Sequence, residues 1–269
     1  MAKEKSGLMP GVYTIKNKNG DTVYRSSLTV KGRHISLGSF GTENDAHLAY
    51  LEGRRILSDT GLTPDNWKDE SLLDFRKAVS LMNLRDTGLY FGAPILLGKR
   101  DFLYFLGRDD CYRFDTDDLF YYSSHRIMRR GKRLFVADYG SQLSVLSRFG
   151  VKSFAVPGRD YRFINGDERD LRYENIEVIN RYRGVRREGM AGFEIYKAVI
   201  HVRGDLIIGR YSTEAEAAIA YNKAADILKR HGIKKKFELN YLENVSPREY
   251  AEIYDRTEIS KSVMNCRQI

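Results

Sequence analysis

The sequence predicts an α+β protein, because a segment near each end reads as strand, strand and helix. The two segments are copies of one another, since five positions recur 171 residues further along the chain. The total of 269 residues leaves room for further domains between the copies. The recurring positions are Gly38, Ala46, Ala49, Tyr50 and Leu57, which return as Gly209, Ala217, Ala220, Tyr221 and Leu228.

The helix of the second copy has one apolar face and clear end signals. Small and apolar residues recur with helical spacing from residue 217 to residue 228, so this face is predicted to pack on a sheet. Ser212 or Thr213 is placed to cap the helix, and Glu216 completes a capping box with Thr213. Gly232 is placed to end it. These positions specify the fold and carry no chemistry.

The strands before each helix alternate between an apolar face and a polar, basic face. The apolar face is predicted to pack on the helix. The polar face is either a solvated surface or a surface that binds a polyanion, and its presence in both copies favours the polyanion. Its residues are Arg25, Ser27, Thr29 and Lys31 in the first copy, and Lys197, Val199, His201 and Arg203 in the second.

Composition and charge narrow the function classes. The chain has 45 basic and 36 acidic residues and a net charge of +9, which attracts polyanions such as nucleic acid. Its apolar runs are far shorter than the ~20 residues that cross a bilayer, and no signal peptide is recognisable, so a cytoplasmic protein without membrane contact is expected. Cys111 and Cys266 lie far apart, which argues against a disulfide framework or a thiolate zinc site. We expect no metal, cofactor or small-molecule substrate.

Four motifs of the second copy occur in a familiar order. They are YRGVR at residues 182–186, YKAVI at 196–200, a turn and helix reading IIGRYSTEAEAAIAYNKAA, and FELN at 237–240. Together they resemble the ethylene-response-factor (Apetala-two type) DNA-binding domain over residues 181–241. The first copy is similar more weakly over residues 11–57, since it reads GVYTI and lacks the closing Asn motif. The resemblance implies a three-stranded antiparallel sheet, backed by one helix, that lies in the major groove of double-stranded DNA.

The resemblance also implies which side chains meet DNA. Arg183 and Arg186 would reach bases or phosphates, and Gly184 would allow a close backbone approach. Ile207 stands where the plant pattern has tryptophan, and Val199 and His201 depart from its acidic residue and arginine, so the target sequence cannot be inherited. The further residues predicted to bind DNA are Arg187, Lys197, Val199, His201 and Arg203, with Lys16, Arg25, Ser27, Thr29 and Lys31 in the first copy.

The middle of the chain, about residues 112–180, resembles a phage HNH homing-endonuclease module of ββα form. Arg162 and Phe163 stand where an active member has Asp and His, and Leu171 replaces a later Asn. Ser147 replaces an upstream His, while Asn175 is kept and is interpreted as a turn cap. Phenylalanine cannot accept a proton and arginine cannot ligate a cation, so we expect a degenerate, DNA-docking domain without catalytic residues.

The remaining segments are read as connectors, a loop and a tail. Arg129 and Arg130 belong to a basic loop that either contacts phosphates or is a solvated hairpin. Trp67, in the helical connector, either anchors domain packing or stacks on a base, and packing is the favoured interpretation. Ser246 is placed to cap a short helix that Pro247 begins, and the residues from about 257 are predicted to be flexible.

These predictions give five segments and one leading function. The segments are a first DNA-binding repeat (1–60), a helical connector (61–103), the degenerate HNH-like domain (104–180), a second DNA-binding domain (181–245), and a short helix with a tail (246–269). The leading hypothesis is a sequence-specific, non-enzymatic regulator of bacterial or phage origin, in contact with the nucleoid and the transcription machinery. The alternatives are an HNH endonuclease with a non-standard site and a non-enzymatic adaptor that binds protein.

Overall fold

A computed structural model describes residues 7–68, 70–138, 140–190 and 193–267. The first six residues of the predicted N-terminal repeat and the last two of the predicted tail lie outside them. The chain divides into two compact units, Met1–Val145 with Asp167–Tyr173, and Leu146–Gly166 with Glu174–Ile269. Both boundaries of the predicted connector fall inside the first unit, and the boundary predicted after residue 180 falls inside the second.

The first unit contains three small antiparallel sheets and three α-helices, so the predicted α+β class is confirmed. Each sheet has three strands in sequence order, β1-β2-β3, β4-β5-β6 and β7-β8-β9. The elements are β1 Val12–Lys16, β2 Thr22–Val30, β3 Arg33–Phe40, α1 Glu43–Ser58, α2 Phe75–Thr87, β4 Ile95–Leu97, β5 Asp101–Gly107, β6 Asp110–Asp115, α3 Leu119–Ser124, β7 Ile127–Arg130, β8 Arg133–Asp138 and β9 Ser141–Ser144.

The first sheet and its two helices share one apolar core. Leu28, Ile35 and Leu37 of the sheet pack with Ile56 of α1, and α2 adds further apolar residues. Trp67 joins this core with 6% of its surface exposed, which confirms its predicted packing role. The predicted connector contains the short 3-10 turn Pro64–Asn66 and helix α2, Phe75–Thr87, and then forms strand β4 and the start of β5.

The second unit is a smaller sheet-and-helix assembly with a two-stranded ribbon. Strands β10 and β11 pair with each other, and β12, β13 and β14 form a three-stranded antiparallel sheet in sequence order. Helix α4 packs on this sheet through its alanines. The elements are β10 Tyr161–Phe163, β11 Ile176–Val178, β12 Val185–Met190, β13 Phe193–His201, β14 Asp205–Tyr211, α4 Glu214–Arg230, α5 Pro247–Arg256 and α6 Lys261–Met264.

The predicted middle domain therefore contributes to both units. Residues 104–145 supply α3 and the sheet β7-β8-β9 to the first unit, and the ribbon β10-β11 belongs to the second. Short 3-10 turns lie between these pieces at Thr116–Asp118, Val145–Phe149 and Tyr173–Asn175. A further 3-10 turn, Pro64–Asn66, lies earlier in the chain, between α1 and α2.

The helix signals read from the sequence operate as predicted. Thr213 accepts a hydrogen bond from the backbone N–H of Glu216 at the start of α4, and Gly232 takes a left-handed conformation after its end. Ser246 caps α5 in the same way, with Pro247 as its first residue. No helix among the described ranges is long and apolar enough to cross a membrane.

The C-terminal tail is ordered, contrary to the prediction of flexibility from about residue 257. The side chain of Val263 in α6 is completely buried in the core of the second unit. The backbone N–H and the hydroxyl of Ser260 donate to the carbonyls of Ile208 and Ile207 on strand β14. These bonds tie the tail to the edge of the sheet, so it is part of the fold.

The repeat seen in the sequence extends to the backbone geometry. Gly11 and Gly184 both have left-handed backbones, and each lies against the ring of the corresponding helix tyrosine, Tyr50 or Tyr221. The middle strand of each sheet donates a backbone hydrogen bond to the glycine carbonyl, from Ser27 to Gly11 and from Val199 to Gly184. A β-bulge also interrupts the same point of each sheet, between Ser26 and Ser27 and between Ala198 and Val199. The first and second sheets can therefore be compared position by position.

Candidate nucleic-acid interface

Each repeat sheet has one face turned away from its helix. Paired residues of antiparallel strands share a face and neighbours along a strand alternate, so the pairing register assigns every side chain. The first open face comprises Tyr13, Ile15, Val23, Arg25, Ser27, Thr29, His34, Ser36 and Ser39. The corresponding positions of the second open face are, in the same order, Arg186, Glu188, Ile195, Lys197, Val199, His201, Asp205, Ile207 and Arg210.

The second open face combines cations with two carboxylates that bind them. Glu188 accepts from Lys197 and from Arg210, each at 3.1 Å. Asp205 pairs with Arg186 at 3.2 Å and with His201 at 2.9 Å. Each carboxylate thus contacts side chains on two other strands.

These contacts keep both carboxyl groups ionised. Hydrogen bonds from Lys197 and then Arg210 lower the pKa of Glu188 below its ordinary value. Hydrogen bonds from His201 and Arg186 lower the pKa of Asp205, although its slight desolvation opposes this. The face therefore carries two negative charges among its cations at neutral pH.

The first open face is different because none of these nine residues is acidic. Its cation is Arg25, whose half-buried side chain has a buried Nε without a hydrogen-bond partner in the part of the chain that is described. Hydroxyl groups of Ser27, Ser36 and Ser39 share the face. The rings of Tyr13 and His34 lie 6.2 Å apart on it. Because that Nε is itself buried, an external acceptor such as a phosphate oxygen has to approach the other N–H groups of the half-buried Arg25 guanidinium.

Several residues predicted to bind DNA are buried or lie off the open faces. Val199 is 5% exposed, so its side chain is not available at the surface. Arg187 lies two residues from the core residue Val185 and therefore on the same, helix-facing side of the sheet, where it pairs with Glu194. By the same alternation Lys16 lies on the helix side of the first sheet, at its exposed end. Lys31 and Arg203 stand in exposed strand-to-strand turns beside the open faces.

Arg183 and Gly184 have internal roles in the second unit. The Arg183 side chain pairs with Glu238, and its guanidinium lies 4.6 Å from the centre of the Phe154 ring. Gly184 is close to the Tyr221 ring, so its lack of a side chain serves packing inside the unit. Neither residue belongs to the open face.

The basic loop of the middle segment is partly neutralised within the first unit. Arg129 donates to Asp110 and to the hydroxyl of Tyr112. Arg130 is exposed, with its guanidinium 5.7 Å from the centre of the Phe135 ring. Of the two, Arg130 presents the more accessible charge.

The positions compared with a nuclease have structural partners. Asn175 is 3% exposed, and its side-chain oxygen accepts from the backbone N–H of Asn165, which supports its interpretation as a turn cap. Arg162 pairs with Glu177 across the ribbon at 2.6 Å, and Leu171 is buried. Within the described ranges no group of three His, Cys, Asp or Glu residues is arranged to hold a metal ion.

Sequence reasoning missed the acidic residues and one cation of the second open face. Glu188, Asp205 and Arg210 were not among the predicted binding residues, and neither were Tyr13 and His34 of the first. Continuing the alternation into the outer strands would have found them, because each occupies a polar position opposite the apolar face. Which residue pairs across the strands depends on the register, which a bulge shifts in both sheets.

A buried carboxylate fixes the loop that leads into strand β12. Asp160 is 3% exposed and accepts from Arg159, from the backbone N–H of Val156 and from Asn180. The oxygen of the Asn180 side chain then accepts from the backbone N–H of Arg187 in β12. Burial raises the pKa of Asp160, but these hydrogen bonds outweigh it and hold the pKa below its usual value.

We expect Asp160→Asn to destabilise the protein by about 2 kcal/mol at pH 7, because Arg159 and Asn180 lose an anionic acceptor. A lowered folded-state pKa contributes stability above the unfolded-state value near 4, and this is lost as the pH falls through the folded-state value. The difference between variant and wild type should therefore shrink towards pH 2. Urea unfolding at pH 7, 4 and 2 measures this, with the exposed Asp255→Asn as control; a pH-independent difference would contradict it.

Comparisons with known proteins give no relative for this chain. No protein-family model matches it, and neither a curated protein nor a solved structure matches it. The resemblances to the ethylene-response-factor domain and to the HNH module therefore remain predictions from the sequence motifs.

Proposed function

We propose that the protein binds double-stranded DNA through its two open sheet faces and acts as a non-enzymatic regulator. The observation that carries the proposal is the repetition of one surface. Both sheets present a polar face with a cation at the centre of the middle strand, Arg25 in one and Lys197 in the other. A purely solvated face has no need for this cation at the same register position in both copies.

The dimensions of the sheets suit the major groove. Neighbouring strands lie about 4.8 Å apart, so three strands span about 10 Å. The major groove of B-form DNA is about 12 Å wide and accepts strands as well as helices. In the described parts of the chain, α1 and α4 pack on the sides of the sheets opposite the open faces.

The charge of the chain favours the same partner. A net charge of +9 attracts the phosphate backbone at long range, and basic side chains release its counterions on contact. Two binding faces on one chain raise each other's local concentration, so modest contacts at each face give useful affinity together. Regulation without cleavage is supported by the structural roles of Asn175 and Arg162 and fits a place on the nucleoid with the transcription machinery.

The first test is selection of binding sites from random duplex DNA, followed by a matched pair of double variants. Arg25→Ala with Lys197→Ala removes one cation from each open face. Arg55→Ala with Arg248→Ala removes one exposed cation from a helix of each unit and serves as the control. We expect the face variant to bind a selected duplex at least about tenfold more weakly, with a salt slope lower by about 2, and the control to change little.

The outcomes separate the candidate functions. Equal losses in both double variants would mean that total charge, and not the open faces, drives binding. Failure of the wild-type protein to retain any duplex would contradict the proposal and favour the protein-binding adaptor. Magnesium-dependent nicking of plasmid would instead favour the endonuclease.

A further inference from the structure

The two open faces differ in charge at two corresponding positions. Glu188 of the second face takes the place of Ile15 in the first, as shown by their equivalent pairing in the sheets. Asp205 takes the place of His34 in the same way. The second face thus carries both carboxylates, and the first carries neither.

Each carboxylate restrains cations on neighbouring strands. Glu188 on β12 holds Lys197 on β13 and Arg210 on β14, and these contacts are both 3.1 Å long. Asp205 on β14 holds Arg186 on β12 at 3.2 Å and His201 on β13 at 2.9 Å. Arg186, Lys197 and Arg210 also form one continuous row of paired residues across the sheet. The long cationic side chains of this row are therefore held in defined directions.

Restraint of this kind changes what a cation can recognise. A free arginine or lysine turns towards any nearby phosphate, so it binds duplex DNA of every sequence. A held guanidinium can meet a guanine edge in a fixed geometry, and a carboxylate can accept from the amino group of cytosine. A carboxylate also repels phosphate oxygens. Complexes with DNA in which no matching base contacts the cations are therefore destabilised by this repulsion.

We propose that Glu188 and Asp205 are positioning residues that make the second face selective for base sequence, while the first face binds duplex DNA with little sequence preference. This inference rests on the proposed DNA binding. It assigns affinity mainly to contacts such as Arg25, which has no carboxylate on its face. It assigns discrimination to the row Arg186, Lys197 and Arg210.

The experiment compares two duplexes and two matched pairs of substitutions in the full chain. One duplex carries the sequence enriched from a random pool, and the other carries the same bases in shuffled order. Glu188→Gln with Asp205→Asn removes both charges and keeps the size of the side chains. Ile15→Gln with His34→Asn places the same two amides at the corresponding positions of the first face and serves as control.

We expect the acidic double variant, Glu188→Gln with Asp205→Asn, to bind the shuffled duplex about tenfold more tightly. The ratio of the dissociation constant for the shuffled duplex to that for the enriched duplex should fall about tenfold. The control should keep that ratio within about twofold. Thermal melting of each variant separates this effect from a loss of fold, because unfolding weakens binding to both duplexes equally.

Three results would overturn the inference. The ratio could stay unchanged in the acidic variant while binding is intact, which would place discrimination elsewhere. The control could lose as much of the ratio as the acidic variant, which would make the two faces equivalent. Absence of duplex binding by the wild-type protein would contradict the proposed function itself. The binding of the wild-type protein to the enriched duplex, measured before any variant, separates that outcome from the other two.

Discussion

Replacing Gly184 by alanine is expected to destabilise the second unit by about 3 kcal/mol. Gly184 has a φ of +71°, a left-handed backbone that costs a residue with a side chain about 1–2 kcal/mol. A β-carbon there would clash with the carbonyl oxygen of Val199 and would lie 2.5 Å from the ring of Tyr221. The carbonyl belongs to the sheet and the ring to the core of α4, so neither can move without further loss.

A matched glycine separates the two causes. Gly166 of the same unit has a φ of +78°, and a β-carbon added there would meet nothing within 4 Å, so Gly166→Ala carries the backbone cost alone. We expect it to lose about 1 kcal/mol by urea unfolding. Equal losses at both positions would contradict the packing role of Gly184. A Gly184→Ala variant of normal stability that binds DNA poorly would restore the role that the family resemblance implies.

The second large effect is expected for Asn240→Ala, which should cost about 3 kcal/mol. Asn240 is 8% exposed, and its side chain makes two hydrogen bonds with the backbone of Arg183. It accepts from the N–H at 2.7 Å and donates to the carbonyl at 3.0 Å. Alanine leaves both groups without their partner, and a poorly solvated unpaired group costs about 1–3 kcal/mol.

The neighbouring residue provides the control for this prediction. Leu239 precedes Asn240 and is 56% exposed, so Leu239→Ala should change the free energy of unfolding by less than about 0.5 kcal/mol. Urea unfolding of both variants measures the difference. If Asn240→Ala is as stable as Leu239→Ala, the closing Asn does not lock the start of the sheet, and its place in the motif has another cause.

The first repeat does not need a closing Asn to bind the backbone before its first strand, for a physical reason. Pro10 occupies the position of Arg183 when the two copies are aligned on Gly11 and Gly184, and proline has no backbone N–H to satisfy. Its carbonyl lies 2.9 Å from Nδ1 of His47 on α1, which must donate because a carbonyl only accepts. One histidine thus replaces the asparagine, so the missing motif reflects a changed partner at the same fold position.

Local signals in the sequence predicted much of each repeat. Thr213, Ser246 and Gly232 mark helix ends because capping depends on residues a few positions apart. The alanine face of α4 was readable from helical spacing. Trp67 was also placed correctly in a core, since a large apolar ring gains most from burial.

The C-terminal tail was not predicted correctly from local sequence signals. Residues after 257 have no long apolar pattern, and they were predicted to be flexible. Their order comes from partners distant in sequence, including the carbonyls of Ile207 and Ile208 on the edge of the sheet. The completely buried Val263 adds one apolar contact to the same core.

By itself the sequence determined the class of the fold, the duplication and the helix ends, because periodicity and capping act over a few neighbouring residues. Only the tertiary structure decided what the open faces offer. Val199 is buried although it was predicted to bind DNA, and the register brings Glu188 and Asp205 onto Lys197 and Arg186, which were predicted to bind DNA as well. Ion pairs across strands depend on pairing between distant segments, and alternation along a single strand carries no information about the residue that lies opposite.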